Sequence, residues 1–328
     1  MKLSIVIICW NDRKVLADCL ESIYEQTKST DFEVIVSDNA STDGSLQFVR
    51  QVYPQVRIVE NGGNVGYARG NNAGIRLAQG QYVLILNPDT LIHPHALDKW
   101  VEYADQHPEA GAFGCRVLNP DGSFQDCARP FPTIRHYWKV ALRLQQNTYR
   151  HWEGRTERPI DWQSGCCVMF RNDVLKQLAG FDEQFFYHYE EVDLCYRVRQ
   201  AGYQILYTPT VVITHLGGQS VGRFPVRFEL EKYRNRYRYF YKHYGPRGAR
   251  QCRRVSLAHL RIRQLGYGLL SLLRRDEATK NRLDMLRTVA AWNKRLNPIR
   301  FVEQGQEPPT SHAPLTPPPP SALTSQQS

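Results

Sequence analysis

The chain has 328 residues, 42% of them hydrophobic, enough for one large domain with an appendage, and no run of 18 apolar residues from which a bilayer-spanning helix would be expected. Its net charge of +10 is unevenly placed: residues 223–300 hold 21 Lys and Arg against 5 Asp and Glu, a local +16, so the remainder sums to −6. A basic block on a slightly acidic body points to nucleic acid, anionic lipid or an acidic substrate.

The first apolar run, Leu3–Cys9, directly follows Met1-Lys2 and ends at Asn11-Asp12 without a small-residue cleavage site, so it reads as a buried strand and not as a signal peptide. Further β-branched runs at Phe32–Ser37, Val56–Val59 and Tyr82–Leu86 predict strands. Between them, Val15, Cys19, Leu20 and Ile23, then Leu46, Val49 and Val52, recur at helical spacing. This alternation predicts an α/β fold with a mostly parallel sheet covered by helices on both faces. Ligands of such sheets bind at the carboxyl ends of the strands. Polar clusters occur at these points: Trp10-Asn11, Asp38–Ser45, Asn61–Gly74 and Asn87–Thr90. Together they describe one cleft.

Asn119–Gly122 predicts a turn between short strands. Residues 128–160, rich in Arg, Trp and Tyr, read as a loop or lid. Strand signals return at Cys166–Phe170, Gln204–Tyr207 and Val211–Thr214. Before the last two, Glu190, Glu191 and Asp193 fall within four residues, where like charges raise one another's pKa. Paired carboxylates suit proton transfer; a solvated helix N-terminus, whose dipole favours acids, is the plain alternative. The eight cysteines form no Cys-x-x-Cys pair or zinc-like cluster, and Cys9, Cys166 and Cys167 sit in apolar runs. Reduced thiols in a cytosolic protein fit that usage.

From about Arg223 the chain becomes basic and helical. Ala258, Ile262, Leu265, Leu269 and Leu272 lie on one stripe of residues 256–273, which suits either an anionic membrane surface or packing on the preceding domain. Aromatics alternate with arginines across Tyr233–Tyr244, but no nucleic-acid-binding motif accompanies them. From Glu303 the composition turns to Pro, Ser, Thr and Gln, with Pro317–Pro320, and predicts a disordered tail.

Taken in order, Ser4–Asn11, Val36–Ser45, Asn64–Gly74, Leu86–Asp89, Ser164-Gly165, Gly180–Glu183, Tyr189–Arg197 and His215 resemble the family 2 glycosyltransferases. These are inverting enzymes of the GT-A (Rossmann-like) fold that use nucleotide-sugar donors. The resemblance runs from about residue 3 to about residue 218. Asn119–Ser123 and Arg129–Pro132 lend it the look of rhamnosyltransferase-like members that build bacterial surface polysaccharides.

The resemblance implies a catalytic domain over 1–222, with a nucleotide-sugar half at about 1–118 and an acceptor half at about 119–222. The basic helical extension would then cover 223–302 and the tail 303–328. It implies that Asp38 binds the base or ribose, unless it merely caps the turn as expected for Asp43. Trp10 and Asn11 would lie close to the nucleoside, with a rim or core tryptophan as the alternative. Asn64, Asn87 and Arg69 would also face the donor, Arg69 through its diphosphate; a surface arginine is the competing reading. Asp89 stands where the family usually carries Asp-x-Asp, but Asn87-Pro88-Asp89 offers one carboxylate. It would hold Mg2+ or Mn2+, with His215 as second ligand or, alternatively, a structural histidine.

Glu191 would be the general base, in a position where relatives often have Asp. Glu190 and Asp193 would orient the acceptor or cap the helix, and Gly165 would lie with Glu190 on the acceptor side. The expected reaction moves a hexose or deoxyhexose, rhamnose among the candidates, from a dTDP- or UDP-sugar to a glycan or lipid-linked acceptor. The expected location is the cytoplasm or the cytosolic face of a membrane, with no nucleic-acid partner. A nucleotidyltransferase would instead show a Gly-rich N-terminal loop where this chain has Ile7–Asn11. A non-catalytic sugar- or membrane-binding relative would lack the acidic triplet or Asp89. The transferase reading requires Asp89 and Glu191 to share one hollow.

Overall fold

The computed structural model describes residues 1–142, 144, 154–217, 225–273 and 276–308. The Pro317–Pro320 tract and part of the 128–160 segment lie outside these residues. Strands β1 (Leu3–Cys9), β2 (Phe32–Asp38), β3 (Arg57–Glu60) and β4 (Tyr82–Leu86) are parallel, in the order β3-β2-β1-β4. Beyond β4 comes β10 (Cys167–Arg171), antiparallel both to β4 and to β6 (Ala110–Leu118). β11 (Gln204–His215) runs parallel to β6, with β5 (Thr90–Ile92) antiparallel at the edge and β8 (Arg158–Pro159) pairing beside it.

Alternate side chains of β1 point to opposite faces, as strand geometry requires. Leu3, Ile5, Ile7 and Cys9 pack with α1 (Arg13–Gln26), α2 (Ser45–Val52) and α4 (Ala96–Gln106). Val6 and Ile8 pack with α3 (Tyr67–Ile75), α6 (Asn172–Gln177) and α7 (Glu190–Gln200). Because α1 starts at Arg13, its buried stripe is Leu16, Cys19, Leu20 and Ile23, and Val15 is half-buried. Val52 closes α2 and is exposed.

Two segments differ from the sequence reading. Gln204–Tyr207 and Val211–Thr214 are one strand, β11, whose register against β6 shifts between Thr208 and Val212. Pro209 has no N–H to donate there, so the chain bulges and resumes pairing. The described part of residues 128–160 is also more regular than a loop. Ala128–Arg129 (β7) pairs with Trp162–Gln163 (β9), and α5 (Ile134–Ala141) starts at Thr133, whose hydroxyl accepts from His136 N at 3.1 Å.

A third core joins α8 (Pro225–Leu273), α9 (Glu277–Arg295) and α10 (Pro298–Gln304) to the segment leading into α7. α8 breaks at Gly245 (φ 65°) before Pro246, where the missing N–H and fixed φ end the first helical half. Tyr237, Phe240 and Leu260 then pack with Leu286, Val289 and Trp292 and with Phe185, Tyr189 and Val192. Among the described residues no helix is long and apolar enough to cross a membrane. The apolar stripe of α8 divides: Leu260 is buried, whereas Leu265, Leu269 and Leu272 are 71%, 66% and 76% exposed.

Candidate active site

A cavity of about 280 Å³ opens at the carboxyl ends of β1 and β4. Trp10, Asn39, Asn64, Asn87, Asp89, Gly165, Glu190, Glu191 and His215 all line it, so Asp89 and Glu191 do share one hollow.

The Asn87–Asp89 turn follows directly from the end of β4. Asn87 N donates to Cys166 O (2.9 Å), Thr90 Oγ1 donates to Asn87 O (2.7 Å), and Leu216 N donates to Asp89 O (2.9 Å). These bonds bring Asp89 to the last residue of β11, with His215 Nε2 3.3 Å from Asp89 Oδ1. His215 Nδ1 lies 2.7 Å from Gln125 Oε1, while the amide nitrogen of Gln125 donates to His215 O and Asn119 Oδ1. That network orients Oε1 to accept from Nδ1–H and directs Nε2 at Asp89. Burial disfavours the charged ring, but the Asp89 hydrogen bond and the neighbouring charges outweigh it and lift the His215 pKa to about 9. The pair is therefore one carboxylate oxygen and one imidazole nitrogen converging on a point. No group of three or more metal-ligating side chains occurs among the described residues. These two donors fit a hard divalent cation whose remaining positions are filled by substrate oxygens.

Glu190 and Glu191 open α7 after two consecutive left-handed residues, His188 (φ 70°) and Tyr189 (φ 75°). Such backbone costs roughly 1–3 kcal/mol per residue and persists only where surroundings enforce it. The enforcement comes from α8. Asn235 Nδ2 donates to Tyr187 O (2.7 Å), Arg236 Nε donates to the Tyr189 hydroxyl (3.0 Å), and that hydroxyl also meets Tyr137. Burial and the neighbouring Glu191 charge push Glu190 well above the usual carboxylate range. Burial also raises Glu191, but its own N–H, that of Val192 and the charge of Arg129 favour its anion. Of the two, Glu191 is the better-supported carboxylate and Glu190 the better proton holder.

Several expected site residues do not line the cavity. Asp193 lies behind it: Arg197 Nε donates to Oδ2 at 2.8 Å, and His243 Nε2 and Lys242 Nζ approach Oδ1 at 2.8 Å each. It is a latch between α7 and α8, which corrects its assignment beside the acceptor. Arg69 is bound to Glu183 (3.1 Å) on an exposed face instead of facing a diphosphate. Asn11 (φ 58°) pins the next loop, its Oδ1 accepting from Thr42 N at 2.7 Å. Asp38 Oδ2 accepts from Ser41 N (2.9 Å), while its Oδ1 is buried and partnerless. The cavity side chain at this strand end is Asn39, whose Nδ2 donates to Asn64 Oδ1 and Gly66 O. Asp43 accepts from Ser45 N and Arg13 N, the first residues of α2 and α1, while Gly44 holds the N-cap position of α2.

Gln125 escaped sequence reading, and Asn39 and Tyr67 lay within the expected cleft clusters without an assigned role. The Tyr67 hydroxyl donates to Gly165 O at 2.5 Å, fixing the cavity backbone. Gly165 allows this because any Cβ there would lie 2.9 Å from that hydroxyl. The Asp-Gly turn at Asp121-Gly122 was the one nearby signal pointing towards Gln125.

A half-parallel, half-mixed sheet with a strand-end cavity joining one Asp and His to a carboxylate pair defines a GT-A-type glycosyltransferase. The family described as glycosyl transferase family 2 matches residues 4–179, and the chain belongs to it. It is 33% identical over 217 residues to the N-acetylglucosaminyl-diphospho-decaprenol L-rhamnosyltransferase of Mycobacterium tuberculosis, covering 58% of this chain and 69% of that protein. The fold is similar to the mannosyltransferase PcManGT of Pyrobaculum calidifontis in complex with GDP-Man and Mn2+, at TM-score 0.56 and 18% identity over 93% of this chain and 88% of that one. S. aureus TarS 1-349 in complex with UDP-GlcNAc is also similar, at TM-score 0.52 and 17% identity over 90% and 92% of the two chains. The protein is thus a family 2 glycosyltransferase that is rhamnosyltransferase-like in sequence.

Proposed function

We propose that the protein moves a hexose or deoxyhexose, with inversion, from a nucleoside diphosphate donor to a hydroxyl of a lipid-linked glycan in surface-polysaccharide synthesis. The carrying observation is the shared cavity of Asp89, His215, Glu190 and Glu191. The donor diphosphate lies against Asp89 and His215, and the nucleoside extends towards Trp10, Asn39 and Asn64. Asp89 and His215 would hold Mg2+ or Mn2+, which when bound neutralises charge on the diphosphate. Glu191 accepts the proton of the acceptor hydroxyl while that oxygen bonds to the anomeric carbon. The bond from that carbon to the diphosphate breaks on the opposite face, and its electron pair leaves with the diphosphate. Glu190 keeps its proton, so it does not compete as base.

A deoxyhexose and a diphospho-lipid acceptor are supported by the name of the M. tuberculosis relative. Divalent metal and nucleotide-sugar donors are supported by the complexes of the similar structures. A lipid-linked acceptor together with a nucleotide-sugar donor supports work at the cytosolic face of a membrane. Transfer from UDP- and dTDP-sugars with and without Mn2+ tests the reading, using Glu191→Gln as control. The variant is expected to bind donor normally and lose at least about 100-fold in turnover. Near-wild-type turnover would refute the assignment.

A further inference from the structure

A cluster of basic side chains adjoins the acidic end of the cavity: Arg129 favours the Glu191 anion and Arg236 holds Tyr189, while Lys232, His259 and Arg263 have no part in the chemistry described so far. Phe228 of α8 lines the cavity, and Lys232 and Arg236 follow it at one-turn intervals on the same face. Past the Gly245 break the second half of α8 folds back, and Arg236 Nη1 reaches Ser256 Oγ at 3.4 Å. His259 and Arg263 extend from Ser256 at three- and seven-residue spacing, so they share its face. Lys232 is the shared neighbour: it feels Arg236, Arg263 and Arg129, and Arg129 in turn acts on Glu191. His188, which lines the cavity, feels Lys232 and Arg236.

All of these side chains are half-buried and open in part to solvent. Glu229 is the carboxylate that faces Lys232. Arg236 is held over the rings of Tyr137 and Tyr233, at 4.6 and 4.8 Å. Lys232 and Arg263 make no hydrogen bond or ion pair with any described residue. Burial and mutual repulsion lower Lys232 and hold His259 at about 4. Gathering like charges in a recess is unfavourable until an anion neutralises them. Beyond Arg263 the same helix leaves Leu265, Leu269, Leu272 and Leu273 bare. A phosphate site beside an uncovered apolar face matches an amphiphile whose anionic group sits where chain meets sugar.

We propose that Arg129, Lys232, Arg236, His259 and Arg263 bind the phosphate or diphosphate of a lipid-carried acceptor, whose hydrocarbon end lies along the leucine face of α8. The proposal rests on reading the cavity as a glycosyl-transfer site and adds where the acceptor's charge is held. Donor and acceptor phosphates are then recognised differently, the first at Asp89 and His215 and the second by Lys and Arg charges, with His259 as a neutral hydrogen-bonding partner.

Binding to the full chain is measured in chelator without donor, using geranylgeranyl diphosphate, geranylgeraniol and inorganic pyrophosphate as probes. Geranylgeranyl diphosphate is expected to bind the wild type and, within about threefold, Lys232→Arg, and to bind Lys232→Ala/Arg263→Ala at least about tenfold more weakly. The alcohol and the free pyrophosphate are each expected to bind the wild type at least about tenfold more weakly than the lipid diphosphate. Equal binding by the double variant, or by the alcohol, would overturn the recess. Equal binding of pyrophosphate would overturn the lipid source and leave a free phosphate as ligand. No turnover enters the measurement. An inactive protein that binds the lipid diphosphate therefore counts against the transferase reading alone, and an active one that fails to bind it counts against this recess alone.

Discussion

Asp193→Asn separates a structural role from a catalytic one. The Asp193 side chain is fully buried and receives Arg197, Lys242 and His243. Burial alone would raise its pKa, but the His243 hydrogen bond and the Arg197 and Lys242 charges outweigh it and hold the carboxyl at about 2 against an ordinary 3.8. That difference corresponds to about 2.4 kcal/mol of folding stability at neutral pH. Removing the charge also strands its partners, as in other broken buried pairs, so the expected loss is about 2–4 kcal/mol. Because the folded pKa is depressed, the stabilisation is complete above about pH 5 and disappears as pH falls through about 2. Urea unfolding of wild type and variant between pH 7 and pH 2.5 checks this: the gap should be constant down to about pH 5 and shrink below 4. Transfer per folded molecule at low temperature should stay within about threefold of wild type, because Asp193 does not line the cavity. A gap under about 0.5 kcal/mol at pH 7, or undiminished at pH 2.5, would refute the latch. A loss of turnover above about 100-fold at unchanged stability would return Asp193 to the catalytic set.

Gln125→Leu removes the acceptor that orients His215 Nδ1–H, so the Mn2+ concentration giving half-maximal transfer should rise about 10–100-fold while turnover at saturating metal is kept. Because burial raises Glu191 above the ordinary 4.5, the acid limb of the kcat/KM profile should have its midpoint above that value, activity falling as pH drops through it. A limb at or below 4.5 would argue against Glu191 as the base. Gly66→Ala should destabilise by at least about 2 kcal/mol in thermal unfolding. Gly66 has φ 86°, and a Cβ there would lie 2.5 Å from the Phe186 ring and 2.6 Å from its carbonyl oxygen. Tyr67→Phe should lower turnover modestly and leave donor affinity unchanged, as it frees the Gly165 carbonyl without moving Asp89; a change in donor affinity instead would place Gly165 on the donor side.

The chain itself carried the alternation of apolar strands and amphipathic helices, and with it the sheet and the end at which ligands bind. Both signals are local: side-chain period distinguishes strand from helix, and polar clusters after buried strands mark the strand-end cleft, although Asn11 and Asp38 turn to the neighbouring loop. Trp10, Asn64, Asn87, Asp89, Gly165, Glu190, Glu191 and His215 accordingly meet in one cavity. What sequence spacing did not reveal was which way neighbouring acids and cations point. Asp193 comes two residues after Glu191, about 200° around the helix, so the two face different surroundings. Arg69 is captured by Glu183, 114 positions away, and Gln125 meets His215 across 90. The α8 stripe was ambiguous until packing buried Leu260 and left Leu265, Leu269, Leu272 and Leu273 bare. Pairings of this kind depend on long-range closure of the chain, and a local pattern holds no record of the partner that arrives from elsewhere.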